Sequence, residues 1–219
     1  MPTPLNLFLI GRSGSGKGTQ AELLTRHFNN FFYISSGALF RELAQTSSDT
    51  GKRIAKVVNE GGLPFDTLAT ALWMRKIAFE VQESQGVLTD GAPRRLNEAK
   101  DMDGFMDFLG RKKRTFYILI DISRHEALER LTKRRVCKKC KQVVPWVGEF
   151  KKLKKCDKCG GELVARPDDK PSAIKNRLDY FDTRVTETIR YLKRTGRLIK
   201  INGEQSIENV SRDILKALR

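Results

Sequence analysis

The sequence predicts an α/β fold, and three features of the chain support this prediction. The short apolar run from Leu5 to Ile10 leads directly into a glycine-rich loop, Gly11 to Thr19, which is followed by an amphipathic helical segment. Further strand-sized apolar runs alternate with helical segments, as they do in sheets of parallel strands. Four cysteines, all between Cys137 and Cys159, predict a small inserted unit.

The strand candidates are short and mostly apolar, as expected for strands buried on both faces of a sheet. They lie at residues 5–10, 31–34, 86–90, 116–120 and 198–201. Helical segments fill most of the intervals, and serine side chains are expected to cap them. These caps are Ser35 or Ser36, Ser123 with Glu126 in a capping box, Ser172 and Ser206.

The glycine-rich loop predicts phosphate binding. Four residues separate Gly11 from Gly16, and Lys17 follows, which is the Walker A spacing. Gly18 stands where Ser or Thr is usual, and Thr19 comes one place late. The glycines let backbone amides curl around a phosphate at the positive end of the next helix, and Lys17 adds a point charge for the outer phosphates. The alternative is an ordinary glycine-rich turn between a strand and a helix.

Size, charge and cysteine content restrict the class of protein. With 219 residues the chain can build one core with one or two inserted units. Neither a membrane span nor a signal peptide is recognisable, so a soluble cytoplasmic protein is expected. The net charge of +16 favours polyanionic partners such as nucleotides, nucleic acid or an anionic surface.

The cysteines predict a structural zinc site. Cys137 and Cys140 form one CxxC pair, Cys156 and Cys159 form a second, and fifteen residues separate the two pairs. Four thiolates would close a tetrahedral shell around zinc and leave no open position for catalysis. Disulfides or idle thiols are the alternatives.

Scattered arginines and one aspartate are candidates for a multiply phosphorylated site. Asp90 ends a strand candidate, where it could orient the waters of a magnesium ion or simply cap a turn. Arg130 and Arg134 share one helix face. Together the arginines suggest more negative charge than one nucleotide carries: Arg41, Arg94, Arg130, Arg134, Arg166 and Arg177. Because no catalytic triad or base is recognisable, the phosphate oxygen of an acceptor nucleotide is the expected nucleophile in a phosphoryl transfer.

From end to end the chain resembles the adenylate kinases of the zinc-bearing, long-lid kind. The matching strings are GRSGSGKGTQ, ISSGALFR, TDGAPR, LTKRRVCKKC with CDKC, ARPDD with KNRL, and INGEQ. The resemblance implies a three-layer P-loop NTPase fold: a five-stranded parallel sheet flanked by helices, a monophosphate-binding insert and a zinc-ribbon-like lid. The implied parts are core 1–34, insert 35–64, core 65–132, lid 133–169 and core 170–219.

The same resemblance implies magnesium-dependent, reversible phosphoryl transfer from ATP to a nucleoside monophosphate, with AMP favoured. The implied ATP-binding residues are Gly14, Ser15, Gly16, Lys17, Gly18, Thr19, Arg130, Arg134, Val143, Val144 and Gln205. The implied acceptor-binding residues are Ser36, Arg41, Gly62, Leu63, Pro64, Gly91, Arg94, Glu98, Arg166 and Arg177. The implied catalytic residues are Lys17, Arg94, Arg130, Arg134, Arg166, Arg177 and Asp90, the last of these through magnesium. Two aspartates, Asp168 and Asp169, would latch the closed lid. A monomer is expected.

Two departures from the family pattern concern the acceptor base. Ala92 and Glu98 stand where the family usually has phenylalanine and glutamine. Loss of an aromatic surface predicts weaker stacking, by about 1 kcal/mol or more. An ionised Glu98 accepts hydrogen bonds but cannot donate them. Guanine presents two adjacent donors to such a carboxylate, so GMP is a specific rival to AMP as the acceptor. Alternatively, Glu98 points to solvent or binds the base through water.

Two other functions also fit parts of the sequence. One is an RNA-binding P-loop ATPase with a zinc ribbon, whose contact surface would be the lysines from Lys138 to Lys158. RNA-stimulated ATP hydrolysis would identify it. The other is a P-loop kinase for an acceptor that is not a nucleotide. Ser36, Gly37 and Arg41 at the family spacing argue against this second rival.

Overall fold

A parallel sheet of five strands forms the centre of the protein. The computed structural model describes residues 3–60, 62, 64–166 and 169–218. The strands of this sheet are β1 (Asn6–Ile10), β2 (Phe31–Ser35), β3 (Gly86–Asp90), β4 (Thr115–Asp121) and β8 (Leu198–Asn202). They follow the order β2-β3-β1-β4-β8, and every neighbouring pair is parallel. The predicted five-stranded sheet is therefore confirmed.

Helices cover both faces of this sheet. The α-helices in the described residues are α1 (Lys17–Phe28), α2 (Ser36–Leu43), α3 (Asp49–Asn59), α4 (Asp66–Glu80), α5 (Leu96–Phe108), α6 (Arg124–Lys133), α7 (Pro171–Tyr180), α8 (Thr186–Arg194) and α9 (Ile207–Ala217). A π turn, Phe181–Val185, joins α7 to α8, and short 3-10 turns lie at Lys112–Arg114 and Gly148–Lys152. This layered arrangement is the predicted α/β class.

The strand sequences explain why both faces of the sheet are covered. Phe8 and Ile10 of β1 point into one apolar cluster with Trp73 of α4, while Leu7 and Leu9 point into a second cluster with α1 and α9. All four β1 side chains are at most 2% exposed. A strand that is apolar on both sides requires helices on both sides, which is the rule for parallel sheets.

Two units project from this frame. Helices α2 and α3 fall within the predicted insert, and Ser35 caps α2 by accepting a bond from the backbone N–H of Ala38. A second sheet of three antiparallel strands falls within the predicted lid: β6 (Val143–Val144), β5 (Arg135–Cys137) and β7 (Leu163–Ala165), in that order. The exact domain boundaries stay predictions.

The described part of the chain holds no helix with the length and apolar character that crossing a membrane requires.

Candidate active site

A large cleft opens at the carboxyl ends of the parallel strands. Its volume is about 830 Å³, within the usual range for ligand sites. It lies at the topological switch point of the sheet, where the connections that follow the adjacent strands β1 and β3 run in opposite directions. Ligands of open α/β sheets bind at this point. The described residues that line it include Gly14, Gly16, Lys17, Gly18, Thr19, Tyr33, Phe40, Arg41, Val58, Gly62, Pro64, Asp90, Arg94, Arg130, Arg134, Val143, Trp146, Arg166 and Arg177.

The phosphate loop is built for an anion at the start of α1. Gly14 and Gly16 have φ angles of 85° and 93°, a region that favours glycine. Gly16 is the N-cap of α1 and offers no side chain to the first amides of the helix. Those amides therefore remain available for a ligand, with the positive end of the helix dipole behind them.

Lys17 is held inside the loop. Its Nζ donates to the carbonyl oxygens of Gly11 at 2.9 Å and Arg12 at 2.8 Å. Burial lowers the pKa of Lys17 to about 8, and the neighbouring Asp90 partly opposes this effect. An incoming phosphate would restore the charge that burial disfavours, so the lysine is suited to an anionic ligand.

Asp90 lies beside the phosphate loop, at the end of β3. A Cβ atom placed on Gly18 would be 3.5 Å from its Oδ2, so the carboxylate faces the start of α1. Tyr33 of β2 is also close. Burial, followed by the charge of Asp90, raises the pKa of the Tyr33 phenol to about 12.

One side of the cleft combines cationic and apolar groups. Arg41 of α2 and Arg94 line it, and the Arg94 Nε donates to the carbonyl of Gly91 at 2.6 Å. Phe40 and Val58 supply apolar surface, and Gly62 and Pro64 complete this side. The predicted Leu63 lies outside the described residues.

The lid side holds a compact group of arginines. Arg134 donates from Nε and Nη2 to both carboxylate oxygens of Asp169, each at 2.8 Å, and Arg177 donates to the same carboxylate at 2.7 Å. The Asp169 side chain is 4% exposed. Arg130 donates to Glu126 at 2.6 Å and to the carbonyl of Gly203 at 2.9 Å. The predicted partner Asp168 lies outside the described residues.

The four cysteines converge at one point of the lid. Their sulfur atoms all lie within 4.8 Å of one another. The Sγ atoms of Cys137 and Cys159 are 3.5 Å apart, and those of Cys140 and Cys156 are 3.6 Å apart. These separations are too long for disulfides, which need about 2.05 Å. They are close to the roughly 3.8 Å edge of a tetrahedron with zinc-sulfur bonds of about 2.3 Å.

Several predicted site residues do not line the cleft as the described residues form it. These are Ser15, Ser36, Gly91, Glu98, Val144 and Gln205. Val143 is 43% exposed and faces the cleft, whereas Val144 is 1% exposed, because successive residues of a strand point to opposite sides. Gln205 donates to Asp213 at 2.7 Å and to the carbonyl of Asn202 at 2.9 Å.

Glu98 was expected either to bond to the acceptor base or to face solvent, and its observed position differs from both. Its Oε2 accepts the backbone N–H of Arg94 at 2.7 Å and that of Arg95 at 3.4 Å, which closes a capping box at the start of α5. The side chain is 5% exposed and does not point to solvent. Burial raises the pKa of Glu98, and the two backbone donors oppose this shift.

Ala92 lies in the core and not on the cleft wall. It is fully buried in the apolar cluster that contains Phe8 and Trp73. The weaker stacking on the acceptor base stays a prediction. Several residues of the cleft wall were not predicted from the sequence, among them Tyr33, Phe40 and Val58. Of these, only Tyr33 had a signal, because it lies one residue before the end of a strand candidate.

Fold and cleft together define a P-loop phosphotransferase in which arginines from separate elements converge beside the phosphate loop. The sequence model of the family described as Adenylate kinase matches residues 9–197. The chain belongs to the adenylate kinase family.

Individual relatives match almost the whole chain. The adenylate kinase of Methanocella arvoryzae is 35% identical over 216 residues, which cover 98% of this chain and 99% of the relative. The adenylate kinases of Desulforudis audaxviator and Syntrophomonas wolfei are each 34% identical, over 221 and 215 residues, with coverage of 98% and 99%. The family predicted from the sequence motifs is thereby confirmed.

Proposed function

We propose that the protein catalyses reversible transfer of the terminal phosphoryl group of ATP to AMP, which yields two molecules of ADP. The observation that supports this most directly is the cleft itself. The phosphate loop and four arginines from separate elements line this one cleft: Arg41, Arg94, Arg134 and Arg177. Such an arrangement neutralises two phosphorylated ligands placed end to end.

The donor nucleotide is assigned to the phosphate loop and the lid. Backbone amides between Gly14 and Thr19 and the ammonium group of Lys17 would hold the phosphates of ATP. Val143 and Trp146 offer apolar surface for its base. Arg130 and Arg134 would contact the transferred group.

Magnesium fits the same end of the cleft. Gly18 occupies the loop position where a Ser or Thr side chain commonly contacts the ion, so the carboxylate of Asp90, which faces Gly18, is assigned to the ion instead. Carboxylates and water are the ligands that Mg²⁺ prefers. When bound, the ion would neutralise phosphate oxygens of ATP.

The acceptor monophosphate is assigned to Arg41 and Arg94, with the backbone near Gly62 and Pro64 beside its base. We expect AMP to be preferred over GMP. The case for GMP depended on a free Glu98 carboxylate, and that carboxylate accepts backbone N–H groups instead. The Oγ of Ser36 is buried and makes no hydrogen bond to the described residues, so a role in binding the acceptor phosphate would require this part of the structure to move.

The chemistry needs alignment and charge compensation and no protein base. The phosphate oxygen of the acceptor is already ionised at neutral pH, because the second pKa of a phosphate monoester is about 6. It can attack the terminal phosphorus of ATP directly, while the guanidinium groups stabilise charge on the transferred group. Closure of the lid would exclude water, which would otherwise compete as the acceptor.

Zinc is assigned a structural role in the lid. Four thiols at tetrahedral separations fit this ion, and no ligand position would remain for substrate. The Sγ of Cys137 accepts the backbone N–H of Cys140 at 3.4 Å. A cytoplasmic location and a monomeric state remain predictions.

An acceptor panel tests the proposed function. Purified protein is supplied with ATP and magnesium, and ADP formation is measured with AMP, GMP, CMP or UMP and without any acceptor. We expect rapid ADP formation with AMP, slower formation with the other acceptors, and almost none without an acceptor. ADP formation that does not depend on an acceptor, or that depends on RNA, would contradict the proposal.

A further inference from the structure

The second residue of the phosphate loop, Arg12, lies at the centre of an ion-pair network outside the proposed ligand contacts. Its Nη2 donates to Asp182 at 2.7 Å, and its Nη1 donates to the carbonyl of Ile122 at 2.9 Å. Its Cζ lies 4.4 Å from the centre of the Phe181 ring. The Arg12 side chain is only 19% exposed, so these contacts are partly desolvated.

The network continues from Asp182 to a second arginine. Arg124 donates to the other carboxylate oxygen of Asp182 at 2.7 Å and to Asp179 at 2.6 Å. Asp182 and Phe181 belong to the π turn after α7, and Arg124 is the first residue of α6. The network therefore joins the phosphate loop to α6 and to the α7 segment.

Each of these three elements carries a cation assigned to the phosphates. The loop leads into Lys17, the last turn of α6 carries Arg130, and α7 carries Arg177 one turn before Phe181. A small cavity beneath the loop is lined by Lys17, Arg94, Arg177 and Phe181. The Phe181 ring that Arg12 contacts therefore lines the same cavity as Lys17 and Arg177.

The π turn adds a reason to regard this contact as functional. An inserted π turn changes which side chains face a neighbour, and such turns occur frequently at functional sites. Here it buries Phe181 and Val185 at 7% and 5% exposure and leaves Asp182 facing Arg12. The Arg12 carbonyl also accepts a bond from Lys17, so movement of this residue would move the lysine.

We propose that Arg12 is a positioning residue that fixes the phosphate loop against α7 and so sets the distance between Lys17 and Arg177. The inference rests on the proposed function, in which Lys17 holds the phosphates of ATP and Arg177 is one of the cleft arginines that neutralise the two phosphorylated ligands. Arg12 acts through its partners and contacts neither nucleotide. Loss of its charge should therefore slow the transfer step more than it weakens substrate binding.

The test compares Arg12→Leu with Arg12→Lys, Asp182→Asn, the double variant Arg12→Leu with Asp182→Asn, and the control Arg53→Leu. The control removes an arginine from an exposed ion pair in α3. Initial rates with ATP and AMP give kcat and both KM values, and thermal unfolding is followed in parallel. The wild-type protein is assayed first and must convert ATP and AMP to ADP. If it does not, the proposed function is refuted, and this result is distinguishable from a failure of the inference about Arg12.

We expect Arg12→Leu to lower kcat about tenfold, a factor that corresponds to about 1.4 kcal/mol, with both KM values within threefold of wild type. Arg12→Lys should recover part of this loss. Because the Arg12 to Asp182 contact can be lost only once, the loss of kcat in the double variant should be smaller than the product of the losses in the two single variants. If Arg12→Leu does not fold, Asp182→Asn must lower kcat at least threefold. Unchanged kcat with a lower Tm, additive losses, or a raised KM with normal kcat would overturn the proposal.

Discussion

Replacing Asp169 should lower the stability of the fold substantially. Its carboxylate is 4% exposed and accepts three charged hydrogen bonds, two from Arg134 and one from Arg177. Burial lowers the pKa of Arg134, and the bond to Asp169 is the main opposing effect. Removing the carboxylate would leave two desolvated cations without their shared anion.

The substitution Asp169→Asn keeps the shape of the side chain and removes its charge. Breaking a buried ion pair in this way costs about 3 to 5 kcal/mol. We take about 3 kcal/mol, because both arginines retain some exposure, 14% and 16%. For a chain of this size, Tm should fall by about 6 to 12 °C.

Differential scanning calorimetry without nucleotide measures this effect. The matched control is Asp49→Asn, which removes the same charge from an exposed pair with Arg53 and should cost less than about 1 kcal/mol. If Asp169→Asn lowers Tm by no more than the control does, the reasoning about the buried pair is refuted.

Three further predictions concern protonation and metal binding. Because the free Lys17 has a pKa of about 8, ATP affinity should fall as pH rises above 8. ATP binding at pH 8.5 should take up roughly 0.7 proton, measured by titration calorimetry in buffers of different ionisation enthalpy, and Lys17→Met should show no uptake. Burial raises the pKa of Glu98, so the folded state loses stability as pH rises above the ordinary value of 4.5. In urea unfolding, the free energy of unfolding of Glu98→Gln relative to wild type should therefore be higher at pH 7 than at pH 4. The ratio of the rates with AMP and GMP should not change. A changed ratio would show that Glu98 contacts the acceptor base. Cys156→Ser should reduce metal content below one zinc per chain and lower Tm, as should a strong chelator, whereas equal Tm values with and without metal would exclude a structural site.

The sheet and the phosphate loop could be predicted because their signals are local. Each strand candidate was a short apolar run, and the loop glycines carry their conformational requirement in the sequence itself. Ser123 and Ser206 cap the helices that they were expected to cap. Ser172 does not, because α7 begins one residue earlier, with Pro171 at its first position.

The environments of individual side chains were harder to predict. Glu98 looked like a group for the base, but its spacing from Arg95 also fits a capping box, and sequence alone could not choose between these two uses. Val143 and Val144 were both expected at the cleft, although a two-residue strand can present only one of them. The Arg12 to Asp182 contact joins residues 170 positions apart and has no local signal.

Calorimetric titration with two adenosines joined through five phosphates tests the central claim most directly, because this molecule spans both assigned pockets. The account predicts one ligand per chain and competition with both ATP and AMP. Lys17→Met and Arg94→Leu should each weaken binding by at least tenfold, since each removes a cation that lines the cleft and is assigned to a phosphate. Two ligands per chain, or competition with only one of the nucleotides, would contradict a single cleft that aligns donor and acceptor.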